Sequence, residues 1–288
     1  MSDPRLPEPL PLPMSQDGTP RRVGVEIEVA GASPRAVAGL VRELRGGRLV
    51  ELDPYRFQVA DSRIGDVTVE LDFRLAHPPA DRRRGPRAWF ARVVGLAASG
   101  FAQVELIFPP LPPGRLPELD LLVAELIERL PGLQVDGPHL NPEVAATTPC
   151  SIVALLRAFM RLAPRLRAEM GVAATSRLGF SSAFPPGYQA LVADAAYRPD
   201  TGRLIDDYLA ANPTRYRELD LLPLFSLLAP ERVRRRLWLQ KVSPRPVFHW
   251  RMPGARPFAG VVADWNRWVA VERLATAPAD AVALAQRS

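Results

Sequence analysis

Glu26 and Glu28 sit two residues apart in Val23-Gly24-Val25-Glu26-Ile27-Glu28-Val29, where acids alternate with apolar residues. In a strand, residues i and i+2 share a face at roughly 6 to 7 Å, so both carboxylates project from one side of a ribbon that otherwise reads as buried. Like charges held that close call for solvent or a cation to offset their repulsion. A lone E-x-E reads as a solvated strand edge, but here the pattern repeats. Val67-Thr68-Val69-Glu70-Leu71-Asp72-Phe73 places Glu70 and Asp72 on one face, and Glu105 lies in the apolar run Val104 to Phe108 before Pro109-Pro110. Gly137-Pro138-His139-Leu140-Asn141 sets an imidazole and an amide two apart, and His249 falls in another short patterned strand. His77, before Pro78-Pro79, reads as a loop residue. Several acids with His and Asn suit an oxygen-rich Mg²⁺ or Mn²⁺ site better than a zinc site, which recruits Cys or more His.

The elements that must position these groups follow from local signals. Residues 1–20 are rich in Pro and polar residues without periodicity, which predicts a disordered tail ahead of a single domain over 21–288. A strand over 22–29 leads through Gly31 to Ser33 as N-cap and Pro34 at the first helical position, predicting a helix over 34–45. Strands are predicted over 49–60 and 66–73 with a turn at 63–66, and over 101–108. Helices are predicted over 89–99 and over 116–130, the latter with Leu119, Leu122, Val123, Leu126 and Leu130 as its inner stripe. The second half reads as mostly helical, at 151–170, 203–211, 214–228 and 230–238, with Pro185-Pro186-Gly187 as an interruption. A strand over 246–252 and a helix over 259–276 bearing Trp265 and Trp268 close the chain. Strands in the first half and helices in the second give an α+β fold without internal repeats.

Composition narrows the function. The 288 residues, 47% hydrophobic and 24% charged, belong to the soluble globular class and can bury a large core. No apolar run nears the roughly 18 residues of a membrane helix, and the first 20 residues lack a signal-peptide core, so the expectation is a cytoplasmic protein without a membrane partner. The single Cys150 forms no intrachain disulfide and reads as a small buried residue. A net charge of +6 invites a nucleic-acid partner, yet Arg82 to Arg84 and Arg232 to Arg236 are not interleaved with aromatics, so none is expected. Lys241 is the only lysine, and the chain has no phosphate-binding loop, no kinase-type glycine loop and no dinucleotide turn. Phosphate chemistry would fall to metals and arginines, whose planar fork suits phosphate oxygens.

The motifs in this order resemble the putative amidoligase family, a branch of the carboxylate-amine ligases that share the glutamine synthetase and glutamate-cysteine ligase catalytic fold. The likeness rests on Arg22 to Glu28, Val69 to Asp72, Glu105 with Pro109 to Pro112, and His139 to Glu143. It continues through Asn212 to Arg217, Leu219 to Phe225, Val247 to Arg251 and Trp265 to Trp268. The resemblance implies a curved, mostly antiparallel sheet that carries the active site and is packed with helices. It implies an ATP-dependent ligase in which a carboxylate takes the γ-phosphoryl group and an amine or ammonia displaces phosphate from the acyl phosphate. Glu26, Glu28, Glu105, His139 and, with a less natural Mg²⁺ ligand, His249 then bind Mg²⁺ or Mn²⁺. Arg251 contacts phosphate, since His249-Trp250-Arg251 stands where glutamate-cysteine ligases carry E-x-R. Glu70 and Asp72 bind metal or orient the amine, and Arg215, Arg217 and Asn141 are candidates for ATP or substrate carboxylate. Two other readings stay open: an inactive or regulatory metal- or nucleotide-binding protein of the same fold, and a metal-dependent phosphoesterase. No glutaminase site surrounds Cys150, so nitrogen is expected from ammonia, an amine or a separate glutamine amidotransferase. The late Trp and Leu surfaces allow a homo-oligomer.

Overall fold

A computed structural model describes residues 6–71, 103–171, 182–237, 242–252 and 258–277. Its contacts divide the chain, expected from sequence to form one domain over 21–288, into two compact units. A sheet unit comprises Gly24–Leu111 and Arg115–Pro138, and a helix-rich unit comprises Met1–Val23, Pro112–Gly114 and His139–Ser288. Asp72, the predicted helix over 89–99, the Arg82 to Arg84 cluster, Lys241 and the first two residues of the strand predicted over 101–108 lie outside the described residues.

In the sheet unit, β1 (Val23–Ala30), β2 (Arg48–Asp53), β3 (Arg56–Ser62), β4 (Gly65–Leu71) and β5 (Val104–Leu111) follow the order β2-β3-β4-β5-β1. A short β6 (Gln134–Val135) pairs antiparallel with β1. The β2–β3, β3–β4 and β4–β5 ladders are antiparallel. Helix α1 (Pro34–Arg45) forms as its signals predict: the Ser33 side chain accepts from Ala36 N–H, Pro34 stands in the first turn, and Arg42 and Arg45 occupy the last turn, where the helix dipole favours cations. Gly31, between β1 and α1, has φ +92° and its missing Cβ would lie 2.6 Å from the Gly132 carbonyl oxygen, so only glycine fits there. α1 packs on β3, β4 and α2 (Leu116–Arg129), where Val37 and Val41, Leu119, Leu122 and Leu126 are buried, each contributing roughly 1.5–3 kcal/mol.

One strand expected over 49–60 is instead a hairpin. The Asp53 carboxylate accepts from Tyr55 N–H at 2.9 Å across Pro54, and this Asx turn sends the chain back as β3.

The helix-rich unit holds β7 (His139–Pro142), β8 (Leu219–Asp220) and β9 (His249–Trp250) in the order β7-β9-β8, antiparallel throughout. Around them lie α3 (Pro149–Met170), α4 (Pro186–Ala193), α5 (Thr201–Ala211), α6 (Leu222–Leu228), α7 (Pro230–Arg236) and α8 (Val261–Thr276). α3 packs on α8, whose Trp265 and Trp268 are fully buried.

Four expectations change in this unit. The helix expected over 214–228 is β8 followed by α6, because the Asp220 carboxylate accepts from Leu222 N–H at 2.9 Å and starts the helix there. Pro186-Gly187, expected to interrupt helical structure, opens α4 instead, as proline in a first helical turn can. Residues 6–20 are no loose tail: Leu10 is buried, Trp265 Nε1 donates to the Glu8 carbonyl at 2.9 Å, and Glu8 N–H donates to Asn266 Oδ1 at 2.7 Å. Cys150 is exposed rather than buried.

Candidate functional site

The sheet unit carries a face of carboxylates. Along β1, Val25, Ile27 and Val29 are buried while Glu26 and Glu28 are half-buried on the opposite side. β4 and β5 repeat this, with Glu70 and Glu105 half-buried between buried Val69, Leu71, Val104 and Leu106. The ladder sets Glu70 directly opposite Glu105, and carboxylate oxygens of Glu28 and Glu105 lie within 4.8 Å of one another. Arg56 on β3, the register partner of Glu70, approaches its carboxylate at 2.5 Å. Glu70 therefore has its charge matched by a cation of the protein. Two carboxylates at the spacing of Glu28 and Glu105 suit a hard divalent cation, which takes oxygen ligands and offsets their repulsion.

The helix-rich unit carries a different polar face. Leu140 pairs with Trp250, and Trp250 with Leu219, so stepping one residue along each strand aligns His139 with Arg251 and Glu218, and Asn141 with His249 and Asp220. All six of these side chains are buried, and Leu140, Trp250 and Leu219 are buried on the other face. Arg251 Nε donates to His139 Nε2 at 3.2 Å. Ring nitrogens of His139 and His249 come within 4.8 Å, and the rings are tilted at 58° with centroids 5.7 Å apart. Two neutral imidazoles at this separation can share a divalent cation, so the donor types of both faces fit a metal.

The acids of this second face are managed individually. Glu218 receives a bidentate fork from Arg167, at 2.7 and 2.5 Å. Asp220 accepts from Leu222 N–H and from the Tyr208 hydroxyl at 3.3 Å. Burial nevertheless pushes the Asp220 carboxyl up to about 7, against those two hydrogen bonds and the charges of Arg215 and Arg251. It can hold a proton near neutrality. Burial also raises the Tyr208 hydroxyl far above its ordinary range, the Asp220 charge adding to the effect.

The predicted site residues thus fall into two sets, Glu26, Glu28, Glu70 and Glu105 in one unit and His139, Asn141, His249 and Arg251 in the other. Arg215 is half-buried and near enough to Asp220 to act on its charge. Arg217 points elsewhere: its NH1 donates to Ser182 Oγ at 2.8 Å and the Ala183 carbonyl at 2.7 Å, tying down a loop. Sequence reasoning left Arg56, Glu218 and Arg167 unremarked. For Arg56 and Glu218 the available signal is register: each lies opposite a candidate once the strands are paired. Arg167 lies on a helix 51 residues from its partner and carries no such signal.

No curated protein and no solved structure gives a match to the chain. A family model described as putative amidoligase enzyme matches residues 19–271, which span both polar faces. Over most of its length, this chain belongs to the putative amidoligase enzyme family.

Proposed function

We propose that the protein is an ATP-dependent carboxylate-amine ligase with a glutamine synthetase-like catalytic fold, working in the cytoplasm. The observation that carries this reading is the convergence of Glu28 and Glu105 within 4.8 Å on the half-buried side of the sheet, in a chain of this family. In the proposal Glu26, Glu28 and Glu105 on the one face, and His139 and His249 on the other, would be ligands for Mg²⁺ or Mn²⁺, which would supply charge neutralisation to the triphosphate. A carboxylate oxygen of the substrate attacks the γ-phosphorus and the bond to the ADP oxygen breaks, leaving an acyl phosphate. The amine lone pair then attacks the acyl carbon, the C–O bond to phosphate breaks, and an amide and free phosphate result.

The chain's own residues have distinct parts in this scheme. Arg251 offers a planar, permanently charged donor fork to the phosphoryl oxygens as charge builds. Glu70, paired with Arg56, orients the ammonium form of the amine and takes its proton; Asp72 is a second candidate for the same task. Asn141 and Arg215 contribute donors to the nucleotide or the substrate carboxylate. Ammonia, an amine or a partner amidotransferase supplies nitrogen.

Two measurements test the reading. Calorimetric titration with a non-hydrolysable ATP analogue should show binding that requires Mg²⁺ or Mn²⁺. ADP release across a panel of carboxylates and amines should then require one of each. Nucleotide binding with no turnover on any pair would favour a regulatory protein, and phosphate release from phosphoesters without ATP would favour a phosphoesterase.

A further inference from the structure

The antiparallel ladders line up one row of charged residues across four strands of the sheet unit. Asp53 on β2 is the register partner of Arg56 on β3, Arg56 of Glu70 on β4, and Glu70 of Glu105 on β5. Direct partners share a face and neighbouring strands lie about 4.8 Å apart, so each charge in the row acts on the next. The Asx turn at Asp53 brings Arg56 into this row, and Leu71 N–H, donating to the Tyr55 carbonyl at 3.1 Å, fixes β3 against β4 beside it. Arg56 Nε lies 2.5 Å from a carboxylate oxygen of Glu70 and 4.0 Å from one of Asp53. Glu70 is therefore drawn towards β3 by Arg56 and pushed the same way by the acid opposite it on β5. Carboxylate oxygens of Glu28 and Glu105 lie within 4.8 Å of one another, whereas Glu70 is outside every group of three or more donors that meet at this spacing among the described residues.

We propose that Arg56 is a positioning residue that holds Glu70 out of the cation site, leaving the acids of β1 and β5 to ligate the metal and keeping Glu70 for the amine. The inference rests on the metal-binding part of the proposed function. Mg²⁺ at phosphate-transfer sites is bound through one or two carboxylates, with its other positions left to water and phosphate oxygens. Glu70 as a further ligand would take one of those positions and give up its place beside the amine. The guanidinium of Arg56 prevents both.

The test is a double-mutant cycle on Mn²⁺ affinity in the full-length protein without nucleotide, read from the electron paramagnetic resonance signal of free Mn²⁺. Arg56→Met should tighten Mn²⁺ binding by on the order of tenfold, because the released Glu70 joins the ion. Glu70→Gln should leave the affinity within about threefold of wild type, and adding Arg56→Met to Glu70→Gln should change it no further than that. A guanidinium that merely repels Mn²⁺ through space predicts the same tightening in both backgrounds, so equal effects would overturn the inference. A larger loss of affinity in Glu70→Gln, no tightening in Arg56→Met, or no Mn²⁺ binding by either wild type or Arg56→Met would also overturn it. Should Arg56→Met fail to fold, the comparison of wild type with Glu70→Gln decides alone. Coupled affinities without ADP release on any substrate pair uphold the role of Arg56 and remove the ligase reading; ADP release with uncoupled affinities does the reverse.

Discussion

The two polar faces solve the problem of holding charge on a sheet in opposite ways. On the sheet unit the acids stand half-buried on long antiparallel ladders, with close-packed valines and leucines behind them. Solvent still reaches them, and Arg56 matches the charge of Glu70. On the helix-rich unit, two- to four-residue strands and the residues that flank them carry six polar side chains that are each at most 9% exposed. Burial there demands a partner for each charge. Glu218 has Arg167, and Asp220, hydrogen-bonded by a hydroxyl and a backbone N–H but by no guanidinium fork, shifts its protonation because burial outweighs those bonds and the charges of Arg215 and Arg251. Changes on the first face should alter chemistry with little effect on folding, whereas changes on or beneath the second should alter both.

The largest break in stability is expected in the helix-rich unit at Arg21, which donates to Glu272 in a bidentate pair and to the carbonyls of Leu12 and Glu143. Arg21→Ala strands a buried carboxylate and should cost about 3–5 kcal/mol in urea unfolding. The matching probe of the sheet unit is Glu28→Gln, for which amine-dependent ADP release should fall by roughly 10²- to 10³-fold, the range for loss of one charged or polar transition-state contact. Its melting temperature should hold or rise, because repulsion from Glu105 is relieved. A fall of several degrees would erase the contrast between the faces.

Asp220 sharpens the comparison through pH. Its folded value of about 7 lies above the ordinary 3.8, so the folded protein binds this proton more tightly than the unfolded chain does. The stability it contributes is complete below about pH 4 and is lost as pH rises through about 7. Asp220→Asn should flatten that part of the stability profile by roughly 4 kcal/mol, read as urea midpoints across the range. The smallest effect is expected at the exposed Arg35–Glu51 pair of the sheet unit, where Arg35→Ala should change stability by at most about 0.5 kcal/mol.

Legibility in the sequence followed the range of the interactions. α1 was readable because its cap, its proline and its apolar spacing all lie within a dozen residues. The acids of β1, β4 and β5 were readable for the same reason, since a period of two puts Glu26 with Glu28 without reference to any partner strand. The segment 214–228 was misread because Leu219, Leu221, Leu222, Leu224 and Phe225 satisfy a helical stripe, while β8 forms by pairing with β9 some thirty residues later. The hairpin at Asp53 was missed because one side-chain hydrogen bond across Pro54 outweighed an apparently continuous strand pattern. The ordered segment over 6–20 depends on bonds to Trp265 and Asn266, more than 250 residues away.

The sequence alone determined which residue types are available for chemistry, which of them share a strand face, and the family to which the chain belongs, because each is written in short motifs or their order. The tertiary structure decided which charges meet. That Glu105 stands opposite Glu70 and close to Glu28, that Arg56 holds Glu70, and that Arg251 donates to His139 across 112 residues of chain are outcomes of strand register. Register is set by the packing of buried side chains on the opposite face, a cooperative property that no local pattern carries.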